Sequence, residues 1–104
     1  MAWKIKIHTL VLSDDFKSIS PPDQRVILKA IRKKLILDPK SFGKPISGAL
    51  KGFWRLRAGD YRVIYKIKED IIEVLVIKVG IRRDEEVYRQ LFSRFAKLEE
   101  SYFS

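Results

Sequence analysis

Cysteine is absent from the 104 residues, which excludes disulfides and thiolate metal sites. Histidine occurs once, at His8. His8 follows Ile7 in an alternating, edge-like strand, so it reads as an ordinary exposed residue. Without it no Ser–His–acid constellation can form. Most carboxylates sit in polar, surface-like runs, which gives metal catalysis little support. No glycine-rich loop follows a strand and opens a helix, so the nucleotide-phosphate fingerprint is missing. The longest purely apolar runs are about as short as Val74–Ile77, far below the length of a transmembrane helix. The amino terminus interleaves Lys4 and Lys6 with apolar residues instead of forming the apolar stretch of a signal peptide. Internal repeats, low-complexity segments and linkers are also missing. The expectation is a cytoplasmic protein without membrane contact, metal or small-molecule cofactor.

Positive charge is abundant. Twenty-two Lys and Arg stand against thirteen Asp and Glu, a net charge of +9 with a pI near 9.9. On a chain this short such an excess sets up a substantial positive potential. Nucleic acid is the natural partner, with an acidic protein as a second, compatible one. A hydrophobic fraction of 46% with two Trp, four Tyr and six Phe supports an ordered core. The length suits one domain over residues 1–104.

Trp3, Ile5 and Ile7 alternate with Lys4, Lys6 and His8, the period of a strand. Ser13, Asp14 and Asp15 offer capping oxygens ahead of a short helical turn carrying Phe16 and Ile19. Ser20, Pro21 and Asp23 then form a strong helix start. That helix is expected to run to about Leu37, with Ile27, Ile31 and Leu35 as its buried stripe. Arg25, Lys29, Arg32 and Lys33 lie mostly off the stripe and form a candidate surface for RNA or an acidic protein segment. The residue before Pro39 ends the helix. Residues 40–50 read as a loop. Three strands follow, at about 53–58, 61–68 and 71–79, with turns short enough for an antiparallel meander. The last is the most apolar and is expected centrally, ending at Gly80. A closing helix is expected over 84–101, striped by Val87, Leu91, Phe95 and Leu98. The fold class is α+β: an antiparallel sheet of the opening strand and the meander, packed against N-terminal helices and closed by a C-terminal helix.

One stretch, "FWRLRAGDYRVIYKIK" at 53–68, gathers Arg55, Arg57 and Arg62. Alternation puts Arg55, Arg57 and Arg62 on one side of the sheet if the apolar faces coincide. "GIRRDEEVY" then brings Arg82, Arg83 and Tyr88 from the end of the last strand. These arginines either form a solvated face with scattered ion pairs or bind a polyanion. Guanidinium groups bind phosphate oxygens bidentately and stack on bases, which favours the second. Metal-free RNA cleavage requires deprotonation of a 2′-hydroxyl, stabilisation of the phosphorane charge and protonation of the leaving oxygen. Preoriented arginines meet the second need. A tyrosine among arginines has its phenolate form favoured, which would suit Tyr88 to proton transfer. Its ring could instead stack on a base.

Leu50-Lys51-Gly52, the run from Trp54 to Tyr65 and the run from Gly80 to Tyr88 resemble the RelE/ParE superfamily of bacterial and archaeal toxins, over nearly the whole chain. The resemblance implies a compact α+β toxin encoded beside a neutralising antitoxin. RelE-type members enter the ribosomal A site and cut messenger RNA by the 2′-hydroxyl route. ParE-type members instead inhibit DNA gyrase. The RelE pattern implies catalytic roles for Arg62, Arg82 and Tyr88. Its two strand lysines fall on Phe53 and Arg55. Arg55 can stabilise phosphate charge but stays protonated and is a poor general base. Lys51 stands at the strand entrance and could supplement it, while Arg57 and Arg83 would bind RNA. The expected partners are a cognate antitoxin with an acidic segment, the ribosome and messenger RNA.

Overall fold

The computed structural model describes residues 2–81 and 86–98. Its centre is a five-stranded sheet in the order β1-β5-β4-β3-β2. The strands are β1 (Lys4–Ile7), β2 (Lys44–Pro45), β3 (Trp54–Ala58), β4 (Tyr61–Lys68) and β5 (Glu73–Ile81). β2 to β5 pair antiparallel, as the short turns require. β1 is the exception. It runs parallel to β5, with Ile5 opposite Val74 and Ile7 opposite Val76. The purely antiparallel expectation is therefore corrected: the helices and the other three strands separate β1 from its partner, and so long a connection permits parallel pairing. β5 is an interior strand and is buried along most of its length, as its apolar run implies. It starts and ends two residues later than expected, so Gly80 lies within it.

Both faces of the sheet are covered. On one face lies α1 (Pro21–Ala30), continued by a wide π-type turn at Ile31–Leu35. Ser20 caps α1 by accepting from Asp23 N–H, and Pro21 opens it, as expected. Ile27, Ile31 and Leu35 pack on Leu56, Val63, Tyr65, Val74 and Val76. Each such fully buried side chain contributes roughly 1.5–3 kcal/mol. Asp38 ends this helix and caps a short α2 (Pro39–Phe42) by accepting from Lys40 and Ser41 N–H. The 40–50 "loop" thus holds most of α2, the two-residue β2 and a turn at Gly48–Leu50. On the other face lies α3 (Glu86–Leu98), whose Val87 and Leu91 pack on Ile64, Leu75 and Ile77. The remaining ends of the expected closing helix, at 84–85 and 99–101, and the side chain of Leu98 lie outside the described residues.

His8 is not exposed. It is 1% accessible, because β1 ends at Ile7 and the chain turns into a helical segment at Thr9. His8 Nδ1 accepts from Leu10 N–H at 3.0 Å, acting as a cap. That bond requires a neutral imidazole, and burial, aided by nearby Arg94, lowers the His8 pKa below its usual 6.5. The unfolded chain therefore takes up this proton first as pH falls. The His8 contribution is complete above pH 6.5. It is lost at up to about 1.4 kcal/mol per pH unit between there and the folded-state pKa. His8→Asn keeps an acceptor without titrating. Urea midpoints compared between pH 7.5 and 5.5 should fall less steeply in the variant; equal slopes would refute the assignment.

Candidate functional site

The predicted alternation holds on the meander. Trp54, Leu56 and Ala58 of β3 join Tyr61, Val63, Tyr65 and Ile67 of β4 against the α1 layer. Arg55, Arg57 and Arg62 are left on the opposite face, where α3 crosses. Arg57 lies directly opposite Arg62 in the strand register. α3 brings Tyr88 to this cluster. Arg55 Nη1 donates to the Tyr88 hydroxyl at 3.1 Å, and the Arg62 guanidinium lies 5.1 Å from the centre of the Tyr88 ring. The second contact has cation–π geometry. It also occupies one face of that ring. Among the described residues, no carboxylate pairs with Arg55, Arg57 or Arg62. Like charges facing each other across a ladder cost stability. Three neighbouring guanidinium groups with no carboxylate partner among the described residues form a surface suited to an anion.

A single close approach sets the height of α3 over this face. Gly80 pairs with Arg62, and a Cβ added at Gly80 would meet Val87 Cγ2 at 2.8 Å and Val87 Cβ at 3.0 Å. Val87 immediately precedes Tyr88, so the space at Gly80 positions the phenol. Gly80→Ala should cost about 1–3 kcal/mol by overpacking. Adding Val87→Ala should restore part of it in thermal melts. An unchanged melting temperature in the single variant would contradict this contact.

Other predicted residues are placed apart. Lys51 is exposed beside the Gly48–Leu50 turn, just before β3. Arg25, Lys29, Arg32 and Lys33 are exposed on the α1 layer, on the far side of the sheet from Tyr88. They form a separate basic surface. Arg82 and Arg83 lie outside the described residues, immediately after Ile81, which pairs with Tyr61. Phe53 packs in the same cluster as Tyr88. Its ring stacks on Phe95 at 5.7 Å and anchors α3.

Sequence reasoning missed a buried charge network. Asp15 was expected to offer a capping oxygen, but its side chain makes no cap hydrogen bond and is buried, at 5% accessible. It accepts from Lys78 Nζ at 2.7 Å and from both Arg94 Nη atoms at 2.7 and 2.9 Å. β1 pairs with β5 only as far as Val76, so the next edge of β5 needs other partners. Asp15 accepts from Val79 N–H, and Arg94 donates to Ile77 O. The network thus plugs the β5 edge and ties α3 to the N-terminal segment. Its signal in the sequence was Lys78 inside an apolar strand and Arg94 on the apolar stripe of a helix.

A family model for the ParE toxin of type II toxin–antitoxin systems matches residues 12–86. Toxin RelG of Mycobacterium tuberculosis is 28% identical over 90 residues, covering 86% of this chain and all of the relative. A chain of the M. tuberculosis toxin–antitoxin complex RelBE2 superposes with a TM-score of 0.73 at 23% identity, covering 79% of this chain and 100% of that one. The archaeal RelE–RelB complex from Pyrococcus horikoshii gives 0.61 at 28% identity, covering 80% and 98%. A mutant of E. coli toxin RelE in the free state gives 0.67 at 20% identity, covering 90% and 98%. The matched sheet, its helical layers and the arginine-rich meander agree with this similarity, and the chain belongs to the ParE toxin family of type II toxin–antitoxin systems, within the RelE/ParE superfamily.

Proposed function

We propose that this toxin is a ribosome-dependent endoribonuclease that cuts messenger RNA in the A site and so stops translation. The observation that carries this reading is the convergence of two arginines on Tyr88, Arg55 at its hydroxyl and Arg62 over its ring, neither paired with a carboxylate among the described residues. In the proposed reaction a 2′-oxygen loses its proton and attacks the adjacent phosphorus. The bond to the 5′-oxygen breaks, and that oxygen takes a proton. The products are a 2′,3′-cyclic phosphate and a 5′-hydroxyl. Arg62 and Arg55 hold the phosphate and stabilise its developing charge. Tyr88 transfers a proton, a role favoured over base stacking because Arg62 already covers one face of its ring. Arg82 acts on the leaving side. Arg57, Lys51 and Arg83 bind the RNA backbone. The α1 surface of Arg25, Lys29, Arg32 and Lys33 faces ribosomal RNA or an acidic segment of a cognate antitoxin. The similarity to RelE–RelB complexes supports such an antitoxin. Phosphate contacts of this kind predict steep salt dependence. The work would take place in the cytoplasm, and among the described residues no helix is long and apolar enough to cross a membrane.

The description of the matching family, a ParE toxin, favours a second reading: a non-enzymatic gyrase inhibitor. The departures at Phe53 and Arg55 favour a third, a basic RNA- or protein-binding module with a decayed site. Brief expression followed by primer extension on messenger RNA, beside a gyrase supercoiling assay, separates them. Codon-phased cuts with normal supercoiling are expected. Intact transcripts with blocked supercoiling would establish the second reading, and intact transcripts with normal supercoiling the third.

A further inference from the structure

Beside Arg55 lies a groove of about 320 Å³, bounded by Ile46, Ser47 and Leu50 on one wall and by Tyr88 and Phe92 of α3 on the other. This volume is at the lower limit of small-ligand sites, a size suited to one flat ring system. The first wall has a fixed path. Gly48 and Gly52 adopt φ of 74° and 102°, and nothing lies within 4 Å of a Cβ added at either, so glycine serves the backbone course there and not close packing. The second wall is aromatic. Phe95 holds Phe92 by a T-shaped contact at 5.5 Å and is itself stacked on Phe53. Phe92 nevertheless stays 46% exposed at the groove. An exposed phenylalanine alone is ordinary. This one shares a groove with Arg55, the group that would hold a phosphate. Ser47 also lines the groove, and its hydroxyl has no hydrogen bond among the described residues.

We propose that this groove is a subsite for one unpaired RNA base next to the bound phosphate, with Phe92 as the stacking platform and Ser47 at the base edge. The inference rests on the endoribonuclease reading and names a specificity-determining residue for it. A single strand held by its phosphate on arginines must place its bases somewhere, and aromatic stacking is the general solution. Arg62 covers one face of Tyr88, and Phe92, 46% accessible, is the more exposed of the two aromatic rings lining this groove.

The test uses binding, so it does not depend on cleavage. A short unstructured RNA with 2′-O-methyl groups is titrated at low salt, beside the same RNA carrying one abasic site at each position in turn. Wild type should lose about ten-fold or more in affinity when one particular base is missing. Phe92→Ala should bind the intact RNA with a similar loss and show no further loss on the abasic one. Phe92→Trp should retain the preference, and Phe92→Leu, which keeps apolar bulk for packing, should behave as Phe92→Ala. Equal losses for intact and abasic RNA in Phe92→Ala, or no base-dependent binding by wild type, would overturn the proposal. Base-dependent binding without codon-phased cuts would leave the subsite standing and sink the endoribonuclease reading.

Discussion

Asp15→Ala is expected to destabilise the fold by about 3–5 kcal/mol, the usual cost of leaving a buried charge without its partner. Two cations depend on this carboxylate, since Lys78 and Arg94 are only 6% and 8% accessible. So does the β5 backbone, because Val79 N–H donates to the same side chain. A loss of this size is a large share of the roughly 5–15 kcal/mol that holds a small protein together. Replacing all three charges with Asp15→Leu, Lys78→Met and Arg94→Met tests the reason. Apolar replacement of a buried ion group is often nearly neutral. Here it should not be, because Ile77 O and Val79 N–H would lose their partners, at about 1–3 kcal/mol each. Urea denaturation of both variants measures this. An Asp15→Ala loss below about 1 kcal/mol would show the network to be solvated and replaceable.

Arg62→Ala and Tyr88→Phe should each lower the cleavage rate on programmed ribosomes by about 10² to 10⁴-fold. The first removes charge stabilisation and the second a proton-transfer group. Neither change should cost much stability. Arg62 has no carboxylate partner among the described residues and faces Arg57 in the register, so the repulsion relieved by its removal offsets the lost contact with the Tyr88 ring. Arg62→Ala should therefore melt near the wild-type temperature while losing activity. Coupled loss of both would point to a structural role.

These two residues were legible in the sequence for different reasons. Arg62 followed from strand alternation, because Tyr61, Val63, Tyr65 and Ile67 claim one face and leave it on the other. Tyr88 followed from the motif alone. Spacing could not say which sheet face α3 would cover. That choice depends on the fit of Val87 over Gly80 and of Phe95 on Phe53, contacts between segments distant in the chain. The direction of β1 was equally hidden, since Ile5 and Ile7 alternate in the same way whether their neighbour runs parallel or antiparallel. Asp15 was read as a capping residue because Ser13 and Asp14 beside it make the local run look like a helix start. Its burial is dictated by Lys78 and Arg94, which no local pattern connects to it. Phe53 stands where the RelE pattern has a lysine, and its ring packs under α3; the chemistry proposed here therefore falls on Arg55, Arg62, Arg82 and Tyr88.

The central claim is that these groups drive 2′-hydroxyl attack on messenger RNA. Purified toxin added to ribosomes stalled with one defined codon in the A site gives the most direct measurement, the identity of the new RNA ends. A cut within that codon is predicted, leaving a 2′,3′-cyclic phosphate upstream and a 5′-hydroxyl downstream, undiminished by EDTA at levels that leave the ribosome intact and nearly absent with Tyr88→Phe. Uncut messenger RNA, or a cut leaving a 5′-phosphate, would contradict the account.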